Sequence, residues 1–172
     1  MTLQEAIGTA LDYEVKVRDH YLKSAKVLED LKGRALFELL SREEDGHVAY
    51  LNHCLDEWKA TGKVVIAAPV KSLLPKGVVW IDEAKKRLQK RPGKRVASGT
   101  ELEAVKLALQ YEMEASSFYR TLVSTLPEAE RALFAAFLTI EDGHVALVQA
   151  QLDAVQGLGF WFDTMEFNLE AG

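Results

Sequence analysis

The chain has a single cysteine, Cys54, in 172 residues. That excludes an internal disulfide framework, a cysteine-only zinc knuckle and a rubredoxin-type iron site. Proline is scarce too, with four residues, which suits long helices. Positive charge is in deficit: 21 bases stand against 26 acids, a net charge of −5. An acidic chain of this kind is not built for general nucleic-acid binding. No run approaches the ~18 consecutive apolar residues of a membrane span, and the apolar stretch from Val64 to Val70 is too short. Met1-Thr2-Leu3-Gln4-Glu5 lacks the charged start and apolar run of a secretory signal. The expected location is therefore the cytoplasm, with no membrane partner. What remains is 48% apolar and 27% charged, the composition of a globular domain with a core of its own.

The chain repeats itself, and a repeat decides the fold before anything else does. Thr2-Leu3-Gln4-Glu5-Ala6 aligns with Thr100-Glu101-Leu102-Glu103-Ala104, and Leu11-Asp12-Tyr13-Glu14 with Leu109-Gln110-Tyr111-Glu112, at an offset of 98. Tyr21 aligns with Tyr119. Arg34-Ala35-Leu36-Phe37 then recurs as Arg131-Ala132-Leu133-Phe134, and Glu44-Asp45-Gly46-His47-Val48-Ala49 as Glu141-Asp142-Gly143-His144-Val145-Ala146, at an offset of 97. One residue was lost in the turn between. Each half therefore holds two helices.

Apolar periodicity and end signals predict helices over about 2–30, 34–61, 100–125 and 127–157. Thr2 with Glu5, and Thr100 with Glu103, read as capping boxes. Gly33 suits the turn between the first two helices, and Pro127 the first turn of the fourth. The two halves, 1–61 and 100–157, are joined by a long connection over 62–99. It can run back along a bundle, so helices two and three can be parallel. The expectation is an all-α four-helix bundle over 1–157 with one long crossover between helices two and three. The basic cluster Lys85-Lys86-Arg87, Lys90-Arg91 and Lys94-Arg95 in that crossover reads as a solvated face, with a docking site for an acidic partner as the alternative. Phe160, Trp161, Phe162 and Phe167 crowd the tail, 158–172. So aromatic a tail is expected to pack on the bundle or on a partner subunit.

Inward positions recur at alternating steps of three and four. The first helix gives Leu3, Ile7, Ala10, Glu14, Val17, Tyr21, Ser24 and Leu28. The second gives Phe37, Leu40, Glu44, His47, Leu51, Cys54 and Trp58. Val105, Ala108, Glu112, Ala115, Tyr119, Leu122 and Leu126 follow on the third. The fourth supplies Phe134, Phe137, Glu141, His144, Val148, Gln151 and Val155. Each apolar stripe thus carries one glutamate at mid-helix, and two carry a histidine three residues later. Four buried carboxylates repel one another and are costly unless something positive lies between them. Two divalent metals supply four positive charges. Glu-x-x-His puts both side chains on one helix face, within reach of one site. Carboxylate with imidazole suits iron or manganese better than calcium, and the lack of thiolate argues against structural zinc.

Other residues near the stripe carry weaker signals. Tyr21 and Tyr119 lie two turns beyond Glu14 and Glu112, and a buried hydroxyl needs a partner. They read either as hydrogen-bond donors to a ligand carboxylate across the bundle or as plain core aromatics. Asp45 and Asp142 either orient a histidine or face solvent. Gly46 and Gly143 suggest close approach by another segment. His20 and His53 have no counterparts in the other half, where Phe118 and Ala150 stand, and read as structural or surface residues.

The set Glu14, Glu44-x-x-His47, Glu112, Glu141-x-x-His144 resembles the ferritin-like di-iron carboxylate superfamily. With the near-perfect duplication, the crossover and the tyrosines it most resembles the rubrerythrin family, over residues 1–157. The resemblance implies that Glu14, Glu44, Glu112 and Glu141 bind two irons, with manganese or a mixed pair fitting the same ligands. His47 and His144 would each cap one metal, and Tyr21 and Tyr119 would be donors behind the ligands. It implies a homodimer that reduces hydrogen peroxide or dioxygen. Two departures matter. The rubredoxin-like domain with its two Cys-x-x-Cys pairs is missing, so electrons are expected from an external donor such as a rubredoxin-like protein. An extra glutamate expected three residues beyond the third-helix ligand is replaced by Ala115, while Glu114 points off the stripe. The six remaining ligands form the more symmetric set of bacterioferritin-like sites. Ferroxidase or iron-handling activity is the alternative function, and a non-catalytic, metal-stabilised bundle the second.

Overall fold

The computed structural model describes residues 1–64, 70–74, 81 and 98–157. The basic cluster of the crossover and the aromatic tail lie outside these residues. Four helices account for most of the described chain: α1 (Leu3–Ser24), α2 (Leu31–Thr61), α3 (Gly99–Thr125) and α4 (Glu128–Val155). Among the described residues there is no strand.

Cap chemistry sets where these helices start and stop. The Thr2–Glu5 capping box forms as the sequence suggests, with Thr2 N–H donating to Glu5 at 2.7 Å and Glu5 N–H to Thr2 Oγ1 at 3.2 Å. The second box does not form. Ser98 caps α3 instead, its hydroxyl accepting from Glu101 N–H at 3.3 Å, so Thr100 lies inside the helix. Helix α1 ends at Ser24, short of the expected 30, because Asp30 opens the next helix. The Asp30 carboxylate accepts from Lys32 N–H at 2.9 Å and Gly33 N–H at 3.0 Å. Gly33 is consequently buried in the first turn of α2 and is not the inter-helix turn. That turn is made by Ala25–Leu28, and Leu28 still reaches the core. Gly62 ends α2 in the left-handed region at φ 69°, its N–H returning to Trp58 carbonyl at 2.7 Å.

Contacts between helices give the topology. Helices α1 and α2 form one antiparallel hairpin, with Tyr21 against Phe37 near its turn and Glu14 against His47 further along. Helices α3 and α4 form the other, with Ser116 against Asp142 and Tyr119 against Phe134. The hairpins meet through α1 and α3, which run antiparallel: Tyr13 lies against Phe118, Lys16 against Glu114 and His20 against Tyr111. It follows that α2 and α3 are parallel, with Gly62 and Ser98 at opposite ends of the bundle.

The stripes read from the sequence are largely the buried faces. Leu3 and Trp58 are only half-buried. Apolar burial falls into two clusters. One includes Val17, Tyr21, Phe37, Leu40, Ala108, Leu147 and Val148. The other includes Ile7, Ala10, Leu51, Tyr119, Phe134 and Phe137. Along every helix the passage from one cluster to the other runs through Glu14, Glu44, Glu112 or Glu141. A polar layer thus divides the core at mid-bundle. Helix α4 is long and apolar enough by composition to cross a membrane, with a mean hydropathy of 1.2 over its best window. Here half of that window is buried in the bundle, and Glu141 and His144 point into the core.

Candidate metal centre

The polar layer consists of Glu14, Glu44, His47, Glu112, Glu141 and His144, none more than 1% exposed. Both imidazoles turn Nδ1 into the layer. His47 Nδ1 lies 2.8 Å from Glu44, 3.1 Å from Glu14 and 3.4 Å from Glu141. His144 Nδ1 lies 3.0 Å from Glu44 and 3.8 Å from both Glu112 and Glu141. The two rings stack with centroids 5.6 Å apart and planes 14° apart. Two overlapping groups result, Glu14–Glu44–His47–Glu141 and Glu44–Glu112–Glu141–His144. Within each group the donor atoms lie within 4.8 Å of one another, so either can hold a metal ion. Glu44 and Glu141 belong to both.

Tyr21 donates its hydroxyl hydrogen bond to Glu112, and Tyr119 donates to Glu14. Each tyrosine therefore serves the glutamate of the other hairpin. Tyr119 is stacked on Phe137, and Tyr21 packs edge-on against Phe37.

Hydrogen bonds within the layer fall well short of its acceptors. Both oxygens of Glu44 and of Glu141, Glu112 Oε2 and both nitrogens of His144 are buried with no hydrogen-bond partner among the described residues. Native interiors rarely leave such atoms orphaned. Their convergence on one spot is the chemistry of a cation site: hard oxygens and borderline nitrogens with lone pairs directed at a common centre.

Proton occupancy reflects the crowding. Burial, reinforced by Glu44, pushes Glu14 up to about 8. Burial raises Glu112 to about 7, with Glu44 adding to the rise and His144 opposing it. Glu141 is driven well above the carboxylate range by burial and by Glu14, Glu44 and Glu112. Burial also acts on Glu44, but His47 and His144 flank it and hold it well below the usual range. Burial works against charge on the imidazoles, yet Glu44 and Glu14 raise His47 strongly, and Glu44 and Glu112 bring His144 to about 9. Burial and the neighbouring carboxylates lift both tyrosines well above 10. Protons thus neutralise the layer when no metal does.

Several flanking residues take definite places. Asp45 is exposed and lies 3.6 Å from Arg18, while Asp142 accepts from Ser116 at 2.6 Å and from Arg120 at 2.7 Å. Among the described residues neither makes an ion pair or hydrogen bond with a histidine. His20 ties α1 to α3, its Nε2 lying 2.9 Å from the Ala104 carbonyl, and His53 is exposed. Among the described residues nothing lies within 4 Å of where a Gly46 side chain would stand, so none makes the expected close approach there. Glu114 is bound on the surface by Lys16 at 2.7 Å, and Ala115 fills the inward position.

Sequence reasoning missed Glu43 and Glu101, both buried. A signal existed for each. Leu40, Glu43 and His47 are spaced by three and four, Glu101 stands four before Val105, and the repeat places Ile140 and Leu3 at the matching positions.

No family model, curated protein or solved structure matches this chain.

Proposed function

We propose that the chain is a dinuclear metal protein of the rubrerythrin type, which reduces hydrogen peroxide or dioxygen with electrons from an external donor. The observation that carries this reading is the convergence of six buried, ligand-type side chains on one spot, with Glu44, Glu141, Glu112 Oε2 and His144 lacking hydrogen bonds there. Glu14 and His47 would hold one metal, Glu112 and His144 the other, and Glu44 and Glu141 would bridge. Four carboxylates with neutral imidazoles balance two divalent cations, and the donor set suits iron or manganese. A reduced pair of such ions supplies the two electrons that an O–O bond takes up.

The protein's own residues do the rest. Tyr21 and Tyr119 each occupy one oxygen of a terminal glutamate, which leaves the other oxygen for metal. Each also keeps a proton at its hydroxyl beside the cluster, because burial and the surrounding acids oppose its loss. Phe37, Phe134 and Phe137 close the layer from both ends and exclude bulk water. The sole cysteine is buried and unpaired, so an electron carrier must come from outside these residues.

A second reading, oxidation and transfer of iron, gains support from one feature. With Ala115 inward and Glu114 held by Lys16, α3 offers no extra carboxylate to the centre. One experiment separates the two. The protein is loaded with Fe(II) under argon and mixed rapidly with peroxide or with dioxygen. Faster oxidation by peroxide with iron retained supports the first reading. Preference for dioxygen with accumulation of ferric mineral supports the second. Binding without oxidation leaves a metal-stabilised bundle, and failure to bind two ions per chain overturns both redox readings.

A further inference from the structure

We propose that Glu43 latches the crossover onto the back of His47, so that the two metal positions are unequal and seating of Ser72–Leu74 is coupled to occupancy beside His47. This rests on the dinuclear reading above.

Glu43 is 2% exposed and faces two ways. Its Oε1 accepts from the backbone N–H of Leu73, from that of Leu74 at 2.8 Å and from Ser72 Oγ at 3.2 Å. Charge-assisted bonds of this kind fix a carboxylate firmly. Its Oε2 lies 3.9 Å from His47 Nε2, and neither atom has a hydrogen-bond partner. His47 meets Glu14, Glu44 and Glu141 through Nδ1, so Nε2 is the nitrogen left to carry a proton outward. A carboxylate behind a ligating imidazole sets the ring's tautomer and raises its basicity. The 3.9 Å gap is longer than a hydrogen bond. A shift of about 1 Å would close it.

The crossover is placed to feel this contact. Val70 is buried in one apolar cluster and Leu74 in the other, so residues 70–74 pass the level of the metal layer. Glu43 is the polar tie at that level. Among the described residues the other half has no equivalent. Ile140 occupies the matching position and lies in the core, and among the described residues only the layer's own carboxylates come within ion-pair distance of His144. Duplication made the ligands alike, and Glu43 makes their surroundings differ.

The test uses cobalt(II) with the full chain and two variants, Glu43→Gln and Glu43→Ile. The second installs the residue of the other half. Calorimetry should show two Co(II) equivalents of unequal affinity in the wild type. Each variant should weaken one equivalent by about 10–100-fold and spare the other. Amide exchange at Leu73 and Leu74 should slow on Co(II) binding in the wild type, and this slowing should vanish in Glu43→Ile. Should Glu43→Ile fail to fold, Glu43→Gln carries the affinity test, because its amide oxygen still accepts from Leu73 and Leu74. Variants that weaken both equivalents alike, or neither, overturn the latch alone, as does exchange indifferent to Co(II). A wild type that takes up no Co(II) overturns the dinuclear reading and the latch together.

Discussion

Tyr21 and Glu112 show how much a single hydroxyl can matter inside this core. Glu112 is fully buried, and the Tyr21 bond lowers its pKa against the larger effect of burial. Tyr21→Phe leaves that carboxyl without its donor. We expect a loss of about 1–3 kcal/mol in the stability of the metal-free protein, read by denaturant unfolding. Glu112→Ala is more severe for binding: it should lose the metal held with His144, and normal uptake of two ions would refute the ligand assignment. The positions of these residues were legible because the repeat shows each of them twice, at a period that fixes the inward face. Glu43 was not, because a stripe drawn through Leu40 and Glu44 skips the equally good step through Glu43. Both residues fall on the inner side of a wide helix face, and only the second half, with Ile140, betrays that the position is buried.

At the scale of the helix, all four elements could be read from apolar period, but two of their starts could not. Asp30 and Ser98 outcompete Gly33 and Thr100 as the end signals, since each places an oxygen over free N–H groups of the first turn. Asp30→Ala should therefore destabilise the fold by about 1 kcal/mol, measured by the same unfolding assay. Gly46 offers the opposite case. It sits exposed within α2, with nothing where a methyl group would go. Gly46→Ala should raise stability by about 0.5–1 kcal/mol without altering metal uptake. A glycine repeated in both halves suggested a packing contact, and at this position inheritance of the duplicated segment is enough to account for it.

Over the whole molecule, the divided core links stability to acidity in an unusual direction. In the metal-free fold Glu112 titrates at about 7 and Glu14 at about 8, above the ordinary 4.5, and His144 at about 9, above 6.5. The folded chain therefore holds more protons than the unfolded chain between about pH 4.5 and 9, and its stability should fall as pH rises through that window. Metal uptake needs those same protons to leave, so affinity should rise over pH 7–9 with protons released. Thermal unfolding with and without Co(II), together with calorimetry in buffers of different ionisation heat, checks both. A metal-free melting temperature that climbs toward pH 9 would contradict the proton inventory.

The crossed tyrosines carry one more consequence. Neither hairpin contains a finished half-site: each lends its phenol to the other's glutamate, through the antiparallel contact of α1 with α3. An ancestral single hairpin would have met the same need only by pairing with its twin about a two-fold axis, each copy giving and receiving one hydroxyl. Fusion into one chain freed the copies from having to stay identical. Glu43 opposite Ile140 is what such freedom permits, a difference between halves that no symmetric dimer of hairpins could encode.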